Sequence, residues 1–207
     1  MKTISFLSQK GGTGKTTLCV HLAVAAERAG QSAVILDLDP QASSTAWKDN
    51  RTEETPVAVS LQYSRLRQTL TASSQSGAAF AFIDSAPHSD QVAMAAAEAA
   101  DLILIPCRAG ILDIRAIAMT AKIAKLAAKP AFVILNALPP QATNLIAEAA
   151  EAVAVHGLEL APVTIHQRAA YAHSLLDGHV AMEFEPKGKA AAEMTALYLW
   201  LANQLKI

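Results

Sequence analysis

The stretch Gln9-Lys10-Gly11-Gly12-Thr13-Gly14-Lys15-Thr16-Thr17 decides how the rest of the chain is read. It follows a β-branched and aromatic run, Thr3 to Leu7, and opens a segment of helical apolar spacing, so it lies between a strand and a helix N-terminus. Small glycines let backbone N–H groups converge on an anion, the helix end adds partial positive charge, and Lys15 adds a full one. Thr16 can offer its hydroxyl to Mg2+. The turn therefore has the makings of a phosphate site. The general pattern G-x-x-x-x-G-K-[ST] asks for glycine at position 9, where this chain has Gln9, and does not call for a second lysine at position 10. Without a polyanion between them, Lys10 and Lys15 would simply repel.

Outward from that turn, short apolar runs alternate with helical patterns to the end of the chain. Leu18, Leu22, Ala25, Ala26 and Ala29 recur at helical spacing, and Gly30 stands where a C-cap glycine belongs. Ala33 to Leu36 predicts a buried strand ending in Asp37-Leu38-Asp39-Pro40-Gln41, where Pro40 stops regular structure. Residues 42 to 78 read as a polar insertion with helical pieces near Ala42 to Lys48 and Leu61 to Leu70. Further strands are expected at Ala79 to Ile83 before Asp84, at Leu102 to Ile105 ending at Pro106, at Ala131 to Leu135 before Asn136, and last at Val163 to Ile165. Six or so strands separated by helices describe an α/β fold, a mostly parallel sheet with helices on both faces. Ligands bind such sheets at the C-terminal strand edge. That rule gathers the turn, Asp37, Asp39, Asp84, Arg108 and Asn136 at one edge.

At 207 residues the chain fits a single domain spanning 1–207, and a domain of roughly that size buries about 70% of its unfolded surface. No apolar run approaches the roughly 18 residues a bilayer span needs, and no signal core follows the N-terminus, so a cytoplasmic protein is expected. Cys19 and Cys107 show no metal or redox spacing and read as small buried hydrophobes. The formal net charge is −1, so affinity for nucleic acid would need a local patch or an assembled dimer.

The run Lys10-Gly11-Gly12-Thr13-Gly14-Lys15-Thr16-Thr17 resembles the deviant Walker A loop of the ParA/MinD family of P-loop ATPases, in which the extra lysine, here Lys10, is the signature residue. The resemblance extends to Asp37-Leu38-Asp39-Pro40-Gln41 as switch I, to Asp84-Ser85-Ala86-Pro87 as switch II, and to Pro106 through Asp113 as the strand, proline and "LD" segment. Thr164-Ile165-His166-Gln167-Arg168 with Tyr171, then Gly178 and Val180, are similar to the family's late motifs. What this implies is a site for ATP or ADP with Mg2+. Gly11, Gly12, Thr13, Gly14, Lys15, Thr16 and Thr17 would cradle phosphates. Thr16 would hold the metal, with Asp37 and Asp84 acting through water, and Asp39 would position the hydrolytic water. Lys10 would reach the nucleotide of a second subunit, and Asn136 would read adenine.

Among relatives the likeness is to the short ParA proteins of plasmid or chromosome partition. It implies a slow, partner-stimulated ATPase that is a homodimer in its ATP state. Its expected partners are non-specific DNA and a centromere-binding ParB-type or small ribbon-helix-helix adaptor protein, and no membrane. The ATP state would associate with the nucleoid. Long relatives carry an N-terminal helix-turn-helix domain, for which there is no room before Lys10. Arg168, Lys187 and Lys189 are candidate DNA contacts, and Arg115, Lys122, Lys125 and Lys129 fall along one face of an expected helix that is either a solvated surface or a partner surface. Two alternatives stay open. One is a MinD-like membrane-positioning ATPase, although the apolar spacing of Leu197, Leu201 and Leu205 fits a helix packed on the sheet better than a basic membrane helix. The other is an ATP-dependent small-molecule synthetase of the dethiobiotin-synthetase type, against which the D-x-D-P-Q segment argues.

Overall fold

The structure, a computed structural model, describes all residues of the chain except 109, 111, 112, 114 and 115. Its centre is a seven-stranded, wholly parallel sheet of order β3-β2-β4-β1-β5-β6-β7. The strands are β1 (Lys2–Phe6), β2 (Ala33–Asp37), β3 (Val57–Ser60), β4 (Phe80–Asp84), β5 (Leu102–Arg108), β6 (Ala131–Asn136) and β7 (Glu159–Leu160). Among the described residues the α-helices are α1 (Lys15–Arg28), α2 (Ser43–Asp49), α3 (Leu66–Gln75), α4 (Asp90–Ala99), α5 (Ile117–Leu126), α6 (Thr143–Ala154), α7 (Ala169–Leu176), α8 (Ala181–Phe184) and α9 (Lys189–Gln204).

Period-two alternation along the strands builds two cores. Ile4, Phe6, Ile35, Phe80, Phe82, Leu102 and Leu104 face α1, Trp47 of α2 and the C-terminal helices. Leu36, Ala81, Ile83, Ile103, Ile105, Val133 and Leu135 face α4, α5 and α6. Alanine does much of the helix side of both, which lets helices lie close to the sheet. Cys19 and Cys107 are buried within these cores. Helix α9 packs Met194, Leu197 and Leu201 into the first core, joined by Leu205 at its C-cap, as the spacing predicts. Among the described residues, no helix is long and apolar enough to cross a membrane.

The register brings the acids together. Asp37 pairs in register with Asp84 on the neighbouring strand, and Asp84 with Phe6 on β1, so two carboxylates and the start of the phosphate turn stand at one level of the sheet edge. On the other side, Arg108 pairs in register with Asn136.

Four expectations need correction. β5 does not end at Pro106 but runs to Arg108. Leu7 N–H bonds the Leu104 carbonyl, so Pro106, two residues on, turns its missing N–H to the same side, where β1 has already stopped. Residues 42–78 contain a strand, β3, whose short Val-Ala-Val-Ser run is largely exposed at the sheet edge. The last strand lies at Glu159–Leu160, not Val163 to Ile165, which is coil leading to an isolated bridge between Leu138 and His166. Lys129 lies past the end of α5, beyond Ala128 in the left-handed region, so it does not share a helical face with Lys122 and Lys125. Arg115, and Leu112 of the "LD" segment, lie outside the described residues.

Candidate functional site

The turn after β1 is shaped by two glycines at positive φ, Gly12 at 71° and Gly14 at 100°. Gly14 is the N-cap of α1, and a Cβ there would come within 2.1 Å of the Asn136 side-chain nitrogen, so no other residue fits. Lys15 folds back over the turn, its ammonium 3.3 Å from the Ser8 carbonyl. Burial pushes that ammonium below its ordinary pKa, and Asp84 and Asp39 pull the other way. A bound polyphosphate would relieve this partly desolvated cation. Gln9, where glycine was expected, donates its side-chain amide to Asp90 in the first turn of α4 at 2.8 Å, tying the turn to the segment after Asp84.

Asp84 is 1% exposed, and one of its oxygens accepts from Thr16 Oγ1 and from Ser44 Oγ, both at 2.7 Å. Its other oxygen is buried with no partner among the described residues. Burial pushes this carboxyl up to about 6, with the Ser44 and Thr16 hydroxyls and Lys15 drawing it down and Asp37 adding to the rise. A spare acceptor and an uncompensated buried charge, beside a threonine hydroxyl, fit a divalent cation held through water. Asp37 accepts from the backbone N–H groups of Asp39, Ser44 and Thr45, the last two at the N-terminus of α2, although burial still holds its carboxyl above the ordinary range. Asp39 is more open, accepts from the Gln41 N–H at 2.9 Å, and borders the cavity above the turn.

That cavity, about 890 Å3, is lined by residues 11–17, Asp39, Pro87 and Asn136 and also by His166, Arg168 and Tyr171. Asn136 lines it but has both ends of its amide engaged, donating to the Thr13 carbonyl at 2.7 Å and accepting from the Ala137 N–H. The bond to Thr13 braces the turn. Lys10 does not line the cavity; it is 44% exposed and lies against Asp113, close in distance but not aligned as a hydrogen bond. Arg168 is bound to Glu193, whereas Lys187 and Lys189 are exposed. Two contributors escape a reading by motif. Ser44 joins Asp37 to Asp84, and its signal was a helix N-terminus seven residues after a carboxylate. Glu193 is linked to the site only by the fold.

A phosphate turn, two in-register acids and a nucleotide-sized cavity at a parallel-sheet edge make a specific combination. The model of the CobQ/CobB/MinD/ParA nucleotide-binding domain matches residues 4–180. The chain belongs to that family. It is similar to the maintenance of carboxysome distribution protein A of Gloeobacter kilaueensis, with 28% identity over 207 residues, 99% of this chain and 94% of the relative. In fold it resembles apo McdA from Cyanothece, with a TM-score of 0.78, 20% identity and 97% and 99% of the two chains covered. It also resembles the septum site-determining protein MinD of Pyrococcus horikoshii complexed with Mg-ADP, with a TM-score of 0.77, 17% identity and 95% and 94% covered. The P-loop NTPase-like fold read from the sequence is the fold of these family members.

Proposed function

We propose that this chain is a ParA-type ATPase that converts ATP and water to ADP and phosphate, and uses the cycle as a dimerisation switch to position a cargo in the cell. The backbone N–H groups of residues 11–16 and the Lys15 ammonium hold the phosphates. Thr16, with Asp84 acting through water, holds Mg2+, and Asp37 anchors the start of α2 that carries Ser44 onto Asp84. Bound Mg2+ supplies neutralising charge for the transferred phosphoryl group. Asp39, the least enclosed of the three acids, orients the attacking water.

The observation that carries the switch is the placement of the two lysines. Lys15 lines the chain's own cavity, while Lys10 stands outside it, half exposed and matched by Asp113. A lysine so placed is available to the nucleotide of a facing copy, where it would neutralise phosphate charge as an arginine finger does. Loss of the γ-phosphate would then release the switch segments and loosen the dimer. Light scattering with ATP tests this directly. Wild type is expected to dimerise with ATP and not with ADP, and Lys10→Ala to remain monomeric while still binding ATP. Intact ATP-dependent dimers of Lys10→Ala would sink the cross-subunit role.

On cargo, the likeness of the sequence to the short ParA proteins favours DNA segregation, with non-specific DNA as track and a centromere-binding protein as stimulator. The full-length likeness to a protein named for carboxysome distribution favours a second reading, in which the same switch spaces a protein assembly. Turnover measured with DNA, and with the product of the neighbouring gene, separates them. Stimulation by a small basic DNA-binding neighbour selects the first; stimulation by a neighbour that binds a protein shell selects the second.

A further inference from the structure

Glu193, in the second turn of α9, sends its carboxylate to the loop that leads into α7. It accepts from the His166 backbone N–H at 3.3 Å, His166 Nδ1 at 2.9 Å, Arg168 Nε at 3.0 Å and Tyr171 Oη at 2.9 Å, and also from Arg168 Nη2. His166, Arg168 and Tyr171 line the same cavity as residues 11–17 without belonging to the turn, and are taken as its nucleoside end if phosphates occupy residues 11–17. Helix α9 is itself fixed, with Met194 and Leu197 fully buried. One carboxylate on a rigid helix therefore sets the shape of that part of the lining. Although burial works against it, the bonds from Arg168, Tyr171 and His166 hold the Glu193 carboxyl below its ordinary range, so it remains an acceptor.

This has a consequence for His166. A ring nitrogen facing a carboxylate must carry the proton, which makes Nδ1 the donor and leaves Nε2, in the neutral ring, an acceptor. Nε2 has no partner among the described residues. The exocyclic group at position 6 distinguishes the two purines, as an amino donor in adenine and a carbonyl acceptor in guanine. An imidazole acceptor on the cavity wall suits the first and repels the second.

We propose that Glu193 is a positioning residue for nucleobase selection: by fixing His166 in its Nδ1–H form it presents an acceptor to the base end of the cavity, favouring a 6-aminopurine over a 6-oxopurine. The inference rests on the nucleotide reading of the site. Its test is competition against a fluorescent ATP analogue, using the full chain with Mg2+ and with ATP, GTP and inorganic tripolyphosphate as competitors. Wild type is expected to prefer ATP over GTP by about tenfold or more, the scale of one good base contact. Glu193→Gln should reduce that ratio to within about threefold, leaving tripolyphosphate competition within about twofold, since an amide, which can donate as well as accept, no longer demands the Nδ1 proton as a carboxylate does, and the phosphate turn is untouched. A purely structural role would weaken tripolyphosphate as well. If Glu193→Gln fails to fold, His166→Phe decides, because it removes the acceptor and keeps the ring. Retention of the wild-type ratio in either folded variant overturns the role of Glu193 while leaving the ATPase reading intact. Failure of wild type to bind any nucleoside triphosphate overturns both.

Discussion

Ser44 shows how much one side chain can join. Its hydroxyl reaches Asp84 and its N–H reaches Asp37, so it couples the two acids that register had already made neighbours. Ser44→Ala would leave Asp84 with a single hydroxyl donor, at a cost of about 1–3 kcal/mol for a buried acceptor left short. The expected outcome is a lowered urea midpoint in metal-free protein, partly recovered on adding Mg2+ with ADP; recovery of nothing would remove Ser44 from the metal site. His21 makes a second, different test. It is fully buried, donates from Nδ1 to the Thr17 carbonyl at 2.7 Å and accepts at Nε2 from the Ala181 N–H at 3.0 Å, so both nitrogens are committed to a neutral ring. Burial lowers its pKa to about 4 from 6.5, although the Thr17 carbonyl and Glu183 oppose the drop. Between those values the unfolded chain binds more protons than the folded one, so this contribution is complete above about pH 6.5 and is lost as pH falls towards 4. The shift corresponds to something on the order of 3 kcal/mol. The stability gap between wild type and His21→Gln, from urea titrations at several pH values, should therefore narrow on acidification; a gap independent of pH would contradict the neutral-ring account.

Among the elements, α2 is the one whose importance no local pattern announces. Its N-terminus grips Asp37 and, through Ser44, Asp84. Past its other end, Arg51, almost fully buried, donates to Glu183 through two nitrogens at 2.8 and 2.7 Å, donates from Nη1 to the Gly178 carbonyl at 2.9 Å, and lies over the Trp47 ring. Trp47 in turn donates to the His179 carbonyl. The helix after Asp39 and Pro40 is thus strapped to the α7–α8 corner, next to Ala172 and Leu175 of the cavity lining. Gly178, at φ 70°, is required because a Cβ would lie 2.5 Å from the Arg51 backbone. Gly178→Ala combines backbone strain with overpacking, a loss of about 2–4 kcal/mol. Thermal unfolding would register it, and a variant as stable as wild type would mean the strap is loose. What was legible in sequence follows from range. The phosphate turn, the strand-end acids and the C-capped first helix are written in contiguous residues with strong local chemistry. β3 was hidden because an edge strand exposing Val57 and Val59 has neither a buried run nor a clean alternation, and β5 ran on past Pro106 because the end of β1 decides what a proline costs there. Glu193, Arg51 and Ser44 act on residues 7 to 132 positions away, and only the folded sheet brings those together.

For the molecule as a whole, net charge of −1 leaves DNA affinity to local cations and to pairing of copies. The three candidates near the C-terminus do not stand alike. Arg168 is neutralised by Glu193, and its charge is spent on the cavity wall, whereas Lys187 and Lys189 are exposed in and beside the first turn of α9 with no acidic partner among the described residues. If DNA is the track, these two lysines should carry contact and Arg168 should act only through the nucleotide. Doubling by dimerisation gives about four phosphate contacts, and for duplex DNA each removes about 0.9 from the slope of log affinity against log salt. Lys187→Ala with Lys189→Ala should therefore flatten the slope measured with ATP by about 3 to 4, while ATP-dependent dimerisation stays as in wild type. An unchanged slope would move the DNA surface elsewhere, with Lys122 and Lys125 on α5 the next cations to remove. A molecule that dimerises with ATP but shows no salt-dependent DNA binding in any of these forms would lose the DNA track and keep only the switch.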